Sequence, residues 1–135
     1  MSDGLPKIDQ SFPKSEHLTS KILIKELFEE GSFFFNYPFK ILYLFKSGDG
    51  GFRKKILISV PRKSYKKAVD RNLLKRRVRE AYRKNKHKLD LNVDGTLYIA
   101  YIYTGNVIES YQRIEGKLIS TLERLHSSIS KIDLQ

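Results

Sequence analysis

Arg71-Asn72-Leu73-Leu74-Lys75-Arg76-Arg77-Val78-Arg79-Glu80-Ala81-Tyr82-Arg83 is the stretch on which the fold turns. Wound at about 100° per residue, it sorts into two arcs. Asn72, Lys75, Arg76, Arg79, Arg83 and Lys86 share an arc of roughly 100°, while Leu74, Val78, Ala81 and Tyr82 share a separate apolar one. One side of such a helix can pack on a sheet while the other offers planar guanidinium forks that match phosphate geometry. Asn72 adds an amide that both donates and accepts.

The rest of the chain supplies the sheet. Ser20 can cap a helix running to Glu30, with Ile24, Leu27 and Phe28 inward and Gly31 as the C′ residue that ends it. Tyr37-Pro38 marks a turn or strand start. Phe39 to Lys46 alternates as a strand, Phe39, Ile41, Tyr43 and Phe45 on one face and Leu42 and Leu44 on the other, and two apolar faces predict a central position. Ser47-Gly48-Asp49-Gly50-Gly51 predicts a hairpin turn into a strand over Phe52 to Val60, stopped by Pro61. A basic loop over 62–67 leads into the helix, which starts near Ala68 and frays around Lys86 to Lys88. After a turn at Asp94-Gly95 come a strand over Thr96 to Tyr103 and a helix over Ile108 to Ile132, with Tyr111, Ile114, Leu118, Leu122, Leu125, Ile129 and Ile132 spaced by threes and fours. The order is α-β-β-α-β-α, with room for a further strand near Phe33 to Phe35. Residues 1–17, which include Gly4, Pro6 and Pro13, are expected to form a flexible arm, and 18–132 a single RNA-binding α/β domain.

A chain of 135 residues with a net charge of +11 fits one domain with an anionic partner. The charge is concentrated: half of the 26 basic residues lie between Arg62 and Lys88, where the acids are Asp70 and Glu80. With few i,i+4 acidic partners, the stripe repels itself unless phosphates relieve it, so RNA binding outweighs a merely solvated face. Arg62 and Lys63 in the preceding loop extend the cationic surface. No apolar run is long enough to span a bilayer, the first twenty residues lack the pattern of a secretory signal, and membrane binding is not expected. Cysteine is absent, which excludes thiolate metal sites and disulfides and fits a reducing compartment. His17, His87 and His126 are scattered. The Gly48 to Gly51 run precedes a strand and so is no phosphate cradle. Asp90 and Asp94 sit where a loop explains them better than a metal. No catalytic or metal-binding set is expected on the protein. The 16 Tyr and Phe residues belong mostly to the core, but exposed ones are stacking platforms for unpaired bases.

Arg71-Asn72-Leu73-Leu74-Lys75-Arg76-Arg77-Val78-Arg79 resembles the RN-x-x-KR-x-x-R signature of the bacterial ribonuclease P protein subunit. Ala68-Val69, Glu80-Ala81-Tyr82 and Leu27-Phe28-Glu29-Glu30-Gly31 resemble its flanks and first helix, and the likeness spans about 18–126. The resemblance implies an α/β two-layer sandwich with a left-handed βαβ crossover through the signature helix, against the usual handedness. It implies a small accessory subunit, monomeric and one per RNA, of a cytoplasmic ribonucleoprotein. That ribonucleoprotein is an endonuclease whose RNA removes the 5′ leader of precursor tRNA. Magnesium ions held mainly by the RNA would activate the water, and DNA is not a partner. Carried over residue by residue, Arg71, Asn72, Lys75, Arg76 and Arg79 would face the catalytic RNA. Ile24, Phe28 and Tyr43 would line the cleft for the single-stranded leader. Ile24 stands where the family commonly has Phe, Lys66 or Lys67 where it often has Gly, and the arm carries only Lys7 and Lys14 before Lys21. A general or ribosomal RNA-binding protein and a stand-alone nuclease are the rival readings. The β-α-β setting of the signature disfavours the first, and the missing carboxylate cluster the second.

Overall fold

The computed structural model describes residues 8–133. Helix α1 (Lys21–Glu30) leads into strands β1 (Ser32–Asn36), β2 (Phe39–Ser47) and β3 (Phe52–Ser59). Helix α2 (Ala68–Asn85), strand β4 (Gly95–Tyr103) and helix α3 (Tyr111–Asp133) follow. The expected extra strand is present as β1.

Ser20 caps α1, its hydroxyl accepting from the Leu23 N–H at 3.3 Å. Gly31 ends the helix for a reason other than the one expected. Its φ of −70° and ψ of 155° are extended rather than left-handed. A Cβ there would lie 2.4 Å from the Leu27 carbonyl oxygen and 3.0 Å from that of Tyr43, so close approach to the sheet demands glycine.

The sheet order is β1-β2-β4-β3, and this corrects the expected hairpin between β2 and β3. The tight hairpin joins β1 to β2 through Tyr37-Pro38, with Asn36 opposite Phe39. Strand β4 lies between β2, its antiparallel neighbour, and β3, its parallel one. Residues 48–51 therefore wrap the start of β4 instead of folding two strands together. Asp94 holds that wrap: its carboxylate accepts from the Gly51 N–H at 2.8 Å and its carbonyl from the Gly48 N–H at 3.3 Å. Turn chemistry is local, whereas a strand apolar on both faces is most stable in the middle of a sheet. The second preference prevails. The parallel pair β3–β4, joined through α2, is the crossover unit.

Alternation divides the core. On one face Phe39, Ile41, Ile56, Leu97, Ile99 and Tyr101 pack under the apolar arcs of α2 (Leu74, Val78, Ala81, Tyr82) and α3 (Ile114, Leu118, Leu122, Leu125). On the other, Leu42 and Ala100 meet Leu18 and Leu27, so α1 covers part of that face. The expected apolar stripe of α3 is buried from Ile114 to Ile129; the Ile132 side chain lies outside the described residues.

Residues 1–7 lie outside the described part, but 8–17, expected to belong to a flexible arm, lie against the domain. Phe12 stacks on His17 with ring centroids 4.1 Å apart and packs on Tyr82 at 5.2 Å. His17 bridges to Ile56, and the Leu18 N–H donates to the Ile56 carbonyl at 2.9 Å, covering the β3 edge. The aromatic at position 12 gives the arm something to bury, which its polar composition concealed.

Burial of tyrosines couples the fold to alkaline pH. Desolvation pushes Tyr82 and Tyr101 well above the ordinary phenol value of about 10, and Tyr103 to about 12. Their raised values stabilise the folded state fully below pH 10. That stabilisation is lost as pH rises from there, because the unfolded chain releases its protons first. The melting temperature is expected to fall between about pH 10 and 12, with the tyrosinate absorbance of Tyr82, Tyr101 and Tyr103 arriving together with unfolding. Ionisation of all eight tyrosines in a chain that stays folded at about pH 10 would contradict this account.

Candidate nucleic-acid interface

Helix α2 divides its cations into a free upper row and a quenched lower end. Asn72, Arg76 and Arg79 are exposed and Lys75 is half-buried on the same face. Among the described residues, none of Lys75, Arg76 and Arg79 is within ion-pair distance of a carboxylate, nor are Arg62 and Lys63 in the exposed loop before the helix. That loop is held in place by its own contacts. The Tyr65 hydroxyl donates to the Gly105 carbonyl at 2.7 Å, and Arg71 Nη1 donates to the carbonyls of Tyr65 and Lys66, both at 2.8 Å. Arg71 is thus a brace between loop and helix as well as a cation. At about 100° per residue it falls among the apolar positions rather than on the stripe, a signal the sequence carried.

Arg83 and Lys86, expected on the same stripe, are answered by acids. Arg83 Nε donates to Glu80 Oε2 at 3.0 Å and Nη1 to the Gln10 carbonyl at 2.9 Å. Its guanidinium holds the Glu80 carboxyl below the usual carboxylate range. Lys86 is buried, with its ammonium 2.6 Å from Glu16 and 3.5 Å from Asp9. Those two acids lie about seventy positions away in the chain, so no local pattern announces them. Among the described residues, the row of cations without an acidic partner therefore ends near Arg79, and Arg83 belongs to a local cluster of charges.

The expected cleft of Ile24, Phe28 and Tyr43 is brought together only in part. Ile24 and Phe28, one helical turn apart, share a face of α1; Ile24 packs against the cluster of Leu18, Leu27, Leu42 and Ala100, and Phe28 is 49% exposed. Tyr43 points to the opposite side of the sheet, edge-on to Phe34 with centroids 6.0 Å apart. The sheet face that α1 partly covers carries Leu42, Leu44, Tyr98, Ala100 and Ile102. Strand alternation had put Tyr43 and Leu42 on different faces, but not which face α1 would take. Lys46, on the α1 face, pairs with Glu26 at 2.6 Å.

Neither aspartate once weighed as a metal ligand is free. Asp90 pairs with Lys54 at 3.1 Å, and Asp94 secures the glycine loop. Among the described residues no group of three His, Cys, Asp or Glu side chains could hold a metal ion, and no helix is long and apolar enough to cross a membrane.

Comparison with known proteins decides what this cationic α/β domain is. A family model described as Ribonuclease P matches residues 12–126. The chain belongs to the ribonuclease P protein family. The ribonuclease P protein component of Porphyromonas gingivalis is 34% identical over 119 residues, covering 86% of this chain and 87% of its own length. That of Petrotoga mobilis is 39% identical over 85 residues, 63% of this chain and 69% of its own. The solved ribonuclease P protein from Thermotoga maritima matches with a TM-score of 0.63 at 30% identity, over 81% of this chain and 96% of that one. A Staphylococcus aureus ribonuclease P protein, 19% identical with a TM-score of 0.60, shares the fold over 82% of this chain and 94% of its own. The chain is the protein subunit of ribonuclease P, partner of its RNA in the endonuclease that matures tRNA 5′ ends, with catalysis carried by the RNA.

Proposed function

We propose that the subunit works where two RNAs approach each other, with α2 on the catalytic RNA and the α1 side of the sheet on the unpaired 5′ leader of precursor tRNA. Asn72, Lys75, Arg76 and Arg79, continued by Arg62, Lys63 and the braced Arg71, supply the phosphate contacts. Phe28 and Ile24 over Leu42 supply an apolar step against which a base can stack. The observation that carries this reading is the separation of the two surfaces. The unanswered cations lie on the helix over one face of the sheet, and the half-exposed Phe28 lies on the helix over the other. One subunit can therefore touch both RNAs at once.

Among the described residues no three acidic or His side chains come together to hold a metal ion, and Glu80 is engaged by Arg83 and Asp90 by Lys54. The ions are assigned to the RNA. The chain neutralises repulsion between phosphates, acting as a monomer, one per RNA, in the cytoplasm. The test is reconstitution with cognate RNA. Adding the subunit is expected to lower the magnesium concentration at half-maximal leader removal and to tighten binding of precursor over mature tRNA. An unchanged magnesium midpoint together with equal affinity for both tRNAs would overturn the reading.

A further inference from the structure

Strand β1 carries an aromatic step that the functions above leave unused. Its middle residues alternate: Phe34 is buried, while Phe33 and Phe35 are 58% and 62% exposed. Their rings meet edge to face with centroids 5.9 Å apart at 84°. The Lys40 ammonium sits over both, 5.1 Å from the Phe33 centroid and 5.6 Å from that of Phe35. Among the described residues Lys40 is in no ion pair, so this cation has two phenyl faces for company and no carboxylate.

The step is built on a fixed strand. Arg124 of α3 lies 4.2 Å from the Phe34 ring centroid on the far side of β1, and the Asn36 side chain donates to the Ser120 hydroxyl at 3.1 Å. Two phenylalanines on an edge strand are a liability for aggregation unless something covers them. Here they are held in place and open.

Position says what covers them. Phe33 pairs with Leu42 and Phe35 with Lys40, so both rings lie on the sheet face that α1 partly covers. Neighbouring strands are about 4.8 Å apart, which puts Phe33 directly beside Leu42, a member of the cluster against which Ile24 packs. Along the chain Phe28 and Phe33 flank Gly31, where α1 turns into the sheet. The ring pair therefore continues the α1 cleft toward the β1 edge. A protein partner fits poorly, because interface cores are depleted of lysine and this patch has one at its centre. An unpaired polynucleotide fits both parts: its bases stack on phenyl faces and its phosphates meet the ammonium.

We propose that Phe33, Phe35 and Lys40 form a second stacking step for single-stranded RNA, engaged by leader nucleotides that extend past the α1 cleft. The proposal rests on the reading that this face holds the leader, and the test separates the two. The holoenzyme reconstituted with cognate RNA is titrated with precursor tRNAs whose leaders lengthen one nucleotide at a time. Wild-type affinity is expected to rise in two stages. Phe33→Ala/Phe35→Ala should abolish the second stage, weakening long-leader precursors about tenfold while leaving short-leader ones at wild-type affinity. Lys40→Gln, which spares the rings, should remove a smaller and salt-sensitive part of the same stage. Phe28→Ala should weaken the first stage.

Loss of the first stage on Phe28→Ala with no effect of the β1 variants at any length overturns the proposal and keeps the cleft reading. Wild-type affinity indifferent to leader length overturns both. A loss equal at all lengths assigns the patch to the RNA subunit or to folding, and a change in oligomeric state with intact leader dependence assigns it to a second copy of the chain. Either result overturns the proposal.

Discussion

Replacing Arg76 and Arg79 together by alanine is expected to weaken binding of the ribonuclease P RNA by about 100-fold near physiological salt. It should also lower the slope of log affinity against log salt by up to about two units. Both side chains are exposed and, among the described residues, neither has an acidic partner, so a phosphate is their available counter-charge. Two charge-assisted contacts at about 1.5 kcal/mol each give that factor. Stability should hold, because the apolar arc of α2 is untouched. Arg83→Ala is the informative contrast: its guanidinium already serves Glu80 and the Gln10 carbonyl, so the salt slope should remain that of the wild type. Filter binding across a salt series reads both variants. An unaltered slope for the Arg76 and Arg79 pair would mean that this row does not face the RNA.

How much of this was legible differs from residue to residue, and the differences have physical causes. The α2 helix was readable because its information is local: Leu74, Val78, Ala81 and Tyr82 repeat at helical spacing, and all four are buried. The same holds for α3 and for the alternation of β4. What failed depended on partners distant in sequence. Ser47 to Gly51 has the composition of a hairpin whether or not a third strand enters between its arms, and β4 enters. Gly31 reads equally as a left-handed cap or as a point of close approach, and only the Leu27 and Tyr43 carbonyls distinguish them. The family resemblance puts Tyr43 in the leader cleft, but alternation alone leaves open which face α1 occupies, and it is Leu42 that faces it. Residues 8–17 looked featureless because the groups that hold them, Ile56, Tyr82 and Lys86, belong to other elements. The sequence shows Phe33 and Phe35 only as part of a further strand, since an exposed ring and a buried one are the same letter.

The lower end of α2 gives the second large effect, this time on stability. Glu16→Ala is expected to cost about 3 kcal/mol, because it strands an ammonium in a nearly closed site. The Lys86 side chain is 6% exposed, and its remaining acid would be Asp9, at 3.5 Å with its own side chain 71% exposed. For a chain of this size the melting temperature should fall by about 10 °C. Lys86→Met keeps the apolar stem and removes the charge. It leaves behind a Glu16 carboxylate whose side chain is 23% exposed against 6% for Lys86, so the stranded charge is less enclosed and the cost is smaller. Glu16→Leu/Lys86→Met should return most of the stability, since a buried pair exchanged for apolar groups of similar volume is often neutral. Thermal melts rank the three variants, and the RNA salt slope of Lys86→Met tests the assignment of function. A slope equal to wild type places Lys86 with the arm. A slope lower by one unit would show that, on the RNA, residues 8–17 release Lys86 to a phosphate and that the cationic row runs the full length of α2.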